Sequence, residues 1–129
     1  LLGLLYTQEQ SYTPLTAGLM RYLNENYASH ITGESLAEAF HYSSEYIDKK
    51  MKQELGMTPH AYLTCIRLQN AKKLLERTDL PIQKIASECG FSDNSIFYKA
   101  FKKSFSLSPS EWRKRNQFPD RRTDTVSSS

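Results

Sequence analysis

The sequence predicts an all-α fold of about seven helices, in which a long central helix joins two helix-turn-helix subdomains. Two observations carry this prediction. One passage occurs twice, at 36–43 and again at 85–92, and the match continues through the following helix with one residue inserted in the second copy. Apolar residues also recur at helical spacing along most of the chain, and no segment alternates with period two for long enough to form a strand.

Apolar spacing and capping residues predict where each helix lies. The predicted helices span about 15–27, 33–40, 44–55, 59–77, 82–89, 93–105 and 109 onward. Thr32 and Ser43 are predicted N-caps, Pro59 stands at the first position of the long helix, and Ser108 begins a capping box. At ~1.5 Å per residue the helix from 59 to 77 extends about 30 Å.

These elements predict a division of the chain into five segments. Residues 1–14 are interpreted as a linker from a missing upstream domain, and 118–129 as a disordered tail of polar residues. Between them, 15–57 forms the first helix-turn-helix subdomain, 58–78 the connecting helix, and 79–117 the second subdomain.

Composition excludes several classes of protein. The 129 residues carry 17 basic and 14 acidic side chains, a net charge of +3, which is too mild to indicate a nucleic-acid ligand by itself. Cys65 and Cys89 lack metal-binding or redox spacing and are expected to be two buried reduced thiols. No metal or other cofactor is indicated, and no catalytic constellation predicts an enzyme. Without an apolar run of ~20 residues or a signal peptide, we expect a cytoplasmic protein without a membrane partner.

Each copy of the repeat has the parts of a helix-turn-helix: a short helix, a turn of about three residues and a longer helix. The turn requires a residue that tolerates positive φ, which Gly90 supplies in the second copy and His41 must supply in the first. The core of the two copies is predicted to include the aromatic residue after each turn and the apolar residues of each longer helix: Tyr42, Ile47, Met51, Phe91, Phe97, Phe101 and Phe105.

The polar residues left on the outer face of each longer helix are candidates for DNA contact, since second helices of such motifs lie in the major groove. On the helix from 44 these residues are Glu45, Asp48, Lys49 and Lys52. On the helix from 93 they are Asn94, Ser95, Tyr98, Lys99 and Lys102. Lysine donates to guanine, asparagine pairs with adenine, and carboxylates accept from cytosine.

Simpler interpretations stand beside several of these candidates. Asn94 and Ser95 can be capping residues only, and Glu45 can be an acid that the helix dipole favours in a first turn. Lys102, Lys103 and the basic run at 113–115 can contact phosphates or form a solvated face.

The second copy, Ile85–Asp93 followed by Phe97–Lys103, and the closing Ser108–Lys114 closely resemble the AraC/XylS family of bacterial transcription regulators. The resemblance covers about 15–116. It implies two recognition helices in adjacent major-groove segments of double-stranded DNA. The base contacts that it implies fall on Glu45, Asp48, Lys49, Asn94, Ser95, Tyr98 and Lys99.

The family resemblance also implies partners. Its members usually carry this unit at the C-terminus, so an effector ligand is expected to act only through a missing N-terminal domain. Activators of this kind contact RNA polymerase, which is therefore an expected partner.

The first copy departs further from the family pattern than the second. His41 replaces the usual glycine, Lys50 stands where an apolar residue is usual, and Glu45 and Asp48 place two acids on the outer face of the helix from 44. In the second copy Tyr98 is larger than the small residue expected there. We therefore expect the two copies to contribute unequally to binding.

The sequence-based hypothesis is a sequence-specific DNA-binding domain of a bacterial transcription regulator, and of an activator in particular. The alternative is an all-helical protein–protein interaction module, for example one that contacts RNA polymerase.

Overall fold

The computed structural model of the protein describes residues 12–117 of the chain. The predicted disordered tail and all but the end of the predicted linker lie outside the described residues. Within them the chain forms seven helices and no strand, which confirms the predicted all-α fold. The helices are α1 (Pro14–Asn26), α2 (Gly33–Phe40), α3 (Ser44–Leu55), α4 (Pro59–Arg77), α5 (Ile82–Glu88), α6 (Asn94–Phe105) and α7 (Pro109–Asn116).

Short polar side chains begin most of these helices. Thr13, Thr32, Ser43, Asp93 and Ser108 are N-caps whose side chains accept a backbone N–H from the first turn. Thr32 and Ser108 belong to complete capping boxes, in which Ser35 and Glu111 accept the N–H of the cap residue in return. Each cap stabilises its helix by ~1 kcal/mol relative to alanine. The sequence therefore determines where the recognition helices begin.

The chain divides into two compact units at Leu63 and Thr64, within α4. We call the part up to Leu63 unit 1 and the part from Thr64 unit 2. No helix among residues 12–117 is long and apolar enough to cross a membrane.

Unit 1 has a mainly aliphatic core. Its fully buried side chains come from α1 and α3 and include Leu19, Leu23, Ile47 and Met51. The end of α3 is fastened to the start of α1 by the carboxylate of Glu54, whose two oxygens accept the backbone N–H of Thr13 at 2.9 Å and its hydroxyl at 3.0 Å. Because Met51 and Glu54 lie on the inner side of α3, the opposite side faces solvent.

Unit 2 adds large aromatic rings to aliphatic core side chains such as Leu75 and Ile85. Phe97 and Phe101 of α6 are fully buried, with their ring centroids 5.7 Å apart. Trp112 of α7 packs edge-on against Phe101 at 6.0 Å and donates its indole N–H to a Glu76 carboxylate oxygen at 2.9 Å. Lys72 lies 5.2 Å from the ring centroid of Phe105, within cation–π range. Large rings thus fix the inner side of α6.

Three predicted core positions and one predicted buried thiol differ in the structure. Tyr42 is 47% exposed, because its ring stacks on Tyr46 at 5.1 Å on the outer side of α3 and does not enter the core. Phe91 and Phe105 are only half-buried. Cys65 is exposed because it lies outside the buried stripe of α4, whereas Cys89 is buried as predicted.

Candidate nucleic-acid interface

The turn between α2 and α3 positions the first recognition helix. His41 ends α2 in the left-handed conformation, with φ of 63°, and donates its backbone N–H to the carbonyl of Ala37 at 2.8 Å. Ser43 then caps α3 by accepting the N–H of Tyr46 at 3.1 Å. The predicted positive φ at His41 is confirmed, although a side chain makes this conformation costly.

The second turn follows the same plan with better-suited residues. Gly90 has φ of 99°, which glycine adopts without steric cost. The N–H of Phe91 returns to the carbonyl of Ala86 at 2.9 Å. The carboxylate of Asp93 caps α6 by accepting the N–H of Ser95 at 2.7 Å. Asp93, not the side chain of Asn94 or Ser95, is therefore the N-cap of α6.

Every predicted contact residue is exposed. On α3 the exposed set is Glu45, Asp48, Lys49 and Lys52, and on α6 it is Asn94, Ser95, Tyr98, Lys99 and Lys102. The four residues of α3 line one shallow open groove together with Gln53 and Thr58. Each set thus lies on the side of its own helix that faces away from the core, where a groove of DNA can reach it.

We call the exposed polar side of each recognition helix, α3 or α6, its reading face. The two recognition helices differ in charge. Helix α3 carries three lysines and three acidic residues, so the net charge of its side chains is zero. Helix α6 carries three lysines and no acidic residue. Lys50 and Glu54 of α3 form an ion pair with each other, with the Lys50 Nζ 3.5 Å from a Glu54 carboxylate oxygen. Burial raises the pKa of Glu54, but hydrogen bonds from Thr13 and Thr16 and the charge of Lys50 outweigh it and keep this pKa below its ordinary value. Phosphates therefore meet a more favourable field at α6 than at α3.

Asp48 has a second environment besides the outer face of α3. It borders a recess of about 190 Å³ in unit 1, whose other lining residues include Ile31, Leu36, Ile47 and Leu63. The recess opens beside the first turns of α2 and α3. Asp48 thus borders both this recess and the open groove along α3.

The sequence-based interpretation missed two exposed apolar residues on the reading faces. Tyr46 is 42% exposed and Ile96 is 57% exposed, and neither was a candidate for contact. The repeat itself contained the signal, because the two residues occupy equivalent positions and each is the third residue of its recognition helix.

One residue of the basic run at 113–115, for which phosphate contact and a solvated face were both open, has a structural role. The guanidinium of Arg113 donates to the backbone carbonyls of Leu75 at 3.2 Å, Thr78 at 3.0 Å and Leu80 at 2.7 Å. It therefore satisfies one carbonyl in the last turn of α4, which the helix itself leaves without a donor, and two carbonyls of the loop that follows. Lys114 and Arg115 remain exposed.

Two helix-turn-helix motifs with capped, solvent-facing second helices define a helix-turn-helix protein of the DNA-binding class. A family model described as a helix-turn-helix domain matches residues 36–115. The chain belongs to this family, the AraC-type helix-turn-helix domains of transcription regulators. These regulators are not enzymes, which confirms the prediction drawn from the sequence. Among residues 12–117 no cluster of side chains is able to hold a metal ion.

Similar proteins come from several bacteria. The chain is 38% identical over 95 residues to the transcriptional activator RhaS of Enterobacter sp. (strain 638), covering 74% of this chain and 34% of that protein. The C-terminal domain of the response regulator AraT from Geobacillus stearothermophilus matches with a TM-score of 0.80 and 33% identity, over 84% of this chain and 90% of that one. A probable AraC family regulator from Rhodopseudomonas palustris matches with a TM-score of 0.75 and 29% identity, over 82% and 100%. The chain spans about a third of the length of the curated relatives that it matches.

Proposed function

We propose that this chain binds double-stranded DNA at a specific sequence, as the DNA-binding part of a bacterial transcription activator. In this proposal α3 and α6 enter adjacent segments of the major groove. The observation that carries the proposal is the pair of capped recognition helices whose polar outer faces are exposed. The likeness to an activator supports the direction of regulation. Since the proposed ligand is chromosomal DNA, the proposed place of action is the cytoplasm.

The proposal assigns different roles to the contact residues of α6. Lys99 and Asn94 lie on the exposed side of the first two turns, where recognition helices reach base edges. They are assigned to guanine and adenine, respectively, because their side chains have the matching donors and acceptors. Lys102 lies one turn further along and is assigned to phosphate. Ser95 and Tyr98 complete the reading face.

The assignment on α3 is weaker for electrostatic reasons. Lys49 and Lys52 are assigned to base and phosphate, whereas Glu45 and Asp48 favour a site with cytosine at the facing positions. Acids that face phosphates without a cytosine partner oppose binding. The first copy therefore contributes less affinity than the second, and more of its contribution depends on the site sequence.

Selection of bound sequences from a random duplex pool tests the proposal. The expected result is one enriched site with two half-sites about one helical turn apart (~10 bp), with affinity that falls steeply as salt rises. Equal binding of all duplexes would refute sequence-specific recognition. One enriched half-site alone would refute the assignment of a reading role to both helices.

The proposal also includes two further partners. RNA polymerase is proposed as a protein partner, supported by the likeness to proteins named activators. An effector ligand enters only through a preceding domain. The rival function is a helical protein-interaction module that needs no DNA. Activation of transcription by a variant that has lost duplex binding, such as one with both Lys99 and Lys102 changed to alanine, would favour this rival.

A further inference from the structure

Among the described residues, the large exposed apolar side chains lie only on the two recognition helices or in the turn before one of them. Within residues 12–117 four large apolar or aromatic side chains are exposed: Tyr42, Tyr46, Ile96 and Tyr98. All four lie on a recognition helix or in the turn before it. A single exposed apolar residue needs no explanation, but their restriction to the two reading faces indicates a shared ligand.

Ile96 is the most exposed of the four, at 57%, and the only aliphatic one. It is the third residue of α6, in the first turn, and Lys99 lies one turn further along the same exposed side. The two neighbours of Ile96 in the chain differ in exposure, since Ser95 is exposed and Phe97 is fully buried. The branched side chain of Ile96 is therefore presented outward from the part of the helix that approaches base edges.

The repeat provides a second observation. Tyr46 is the third residue of α3 and is equivalent to Ile96, and it too is large and exposed. Its ring is stacked on Tyr42 with an interplanar angle of 22°, so part of its surface is already covered within unit 1. Both copies thus keep an apolar group at the same place on the reading face, and only Ile96 presents an aliphatic one.

We infer that Ile96 reads the C5 methyl group of a thymine in the major groove. This inference rests on the proposed DNA-binding function and adds a specificity-determining residue to it. Thymine is the only base with an apolar group on its major-groove edge, and apolar side chains recognise it by contact. Lys99, assigned to a guanine edge, lies one turn further along, so the methyl contact is made as Lys99 binds its base.

Single replacement of thymine by deoxyuridine tests this inference. The replacement removes one methyl group and leaves the hydrogen-bonding groups of the base pair unchanged. The experiment uses the whole chain and the duplex selected from the random pool, with each thymine replaced in turn. For the wild type we expect one thymine in the half-site read by α6 at which the replacement weakens binding about fourfold, as the loss of one buried methyl predicts.

Three variants make the test specific. Ile96→Ala should bind thymine and deoxyuridine duplexes equally at that position, whereas Ile96→Val should retain most of the discrimination. Tyr46→Ala is the matched control from the other copy and should leave the discrimination at that position unchanged. Because Ile96 is mostly exposed, Ile96→Ala should keep the wild-type unfolding temperature.

The outcomes separate this inference from the function on which it rests. If the wild type binds its selected site but Ile96→Ala discriminates thymine from deoxyuridine as the wild type does, the thymine contact is overturned and sequence-specific binding stands. A selected site that shows no methyl dependence overturns it in the same way. If the wild type prefers no duplex, both the proposed function and the thymine contact are overturned.

Discussion

The two units differ in which end of the recognition helix has a glycine of positive φ. In unit 1 the turn residue is His41 and the C-cap of the recognition helix is Gly56, whereas in unit 2 the turn residue is Gly90 and the C-cap is Ser106. All four residues have positive φ. The backbone path is therefore common to both copies, and each copy accepts a strained residue at a different point of that path.

Charge and packing differ between the units as well. Unit 1 combines a mainly aliphatic core with a recognition helix of zero net charge. Unit 2 combines a core that includes Phe97 and Phe101 with a recognition helix that carries three lysines and no acid. A shared scaffold therefore does not require shared binding strength. Variants in each unit, paired with controls, measure how far these differences extend to stability and to DNA affinity.

The largest effect is expected from Arg113, which anchors α7 to the end of α4 in unit 2. Arg113→Ala removes the donors to three backbone carbonyls, and hydrogen bonds from charged donors are strong. We expect the free energy of unfolding to fall by about 3 kcal/mol. Denaturant unfolding measures this change. Lys114→Ala is the control, since Lys114 is exposed on the same helix and should change stability by less than ~0.5 kcal/mol. Equal losses in the two variants would contradict the structural role of Arg113.

The second prediction compares the equivalent lysines of the two recognition helices. Lys99→Ala should weaken binding to the selected duplex by about tenfold or more and relax one base position. Lys49→Ala should weaken it less, because Glu45 and Asp48 lie on the same face of α3. Fluorescence anisotropy with the selected duplex and with duplexes changed at single base pairs measures both effects. A larger loss from Lys49→Ala would reverse the proposed order of the two copies.

The third prediction concerns the strained turn of unit 1. His41→Gly relieves a side chain at φ of 63° and should raise the free energy of unfolding by up to about 1 kcal/mol, reduced by the greater freedom of glycine in the unfolded chain. Gly90→Ala is the converse change in unit 2 and should destabilise by about 1 kcal/mol. Thermal unfolding checks both variants. If His41→Gly destabilises the protein, the histidine side chain has a role that outweighs its strain.

The sequence was sufficient to predict the helices because their signals are local. Apolar spacing, Ser and Thr caps and the glycines define each helix to within one or two residues. The positive φ at His41 was predictable because the repeat aligns this histidine with Gly90. Family membership was predictable for a related reason, since the diagnostic residues are contiguous in the second copy.

What could not be predicted depends on where distant groups meet. Arg113 was a candidate for phosphate contact because its neighbours Lys114 and Arg115 are basic, and nothing local shows that the end of α4 lies within its reach. Tyr42 was predicted to be buried because its equivalent, Phe91, follows the turn in the same way, and Phe91 does pack at 5.1 Å from Phe97. Tyr42 stacks on Tyr46 because the turn places the Tyr42 ring on the outer side of α3, and the local sequence does not indicate that side.

The smallest effect is expected from Glu54, whose equivalent in unit 2 is the exposed Ser104. Burial raises the pKa of Glu54. The hydrogen bonds from Thr13 and Thr16 and the charge of Lys50 lower this pKa by more than burial raises it, so it lies below the ordinary value of 4.5. A carboxyl whose pKa is lowered by folding stabilises the protein above its unfolded pKa and loses this contribution as the pH falls through its folded pKa.

Glu54→Gln tests this contribution, because glutamine keeps the shape and one acceptor oxygen but cannot ionise. We expect the variant to lose about 0.5 kcal/mol of unfolding free energy at pH 7. The gap between wild type and variant should close as the pH is lowered below 4.5. Urea unfolding at a series of pH values measures this gap, and Ser104→Ala provides the control from unit 2 with no pH-dependent difference. A gap that stays constant down to about pH 3 would show that Glu54 acts through packing and not through its charge. The acid-sensitive fastening of α3 to α1 would then no longer distinguish the two units.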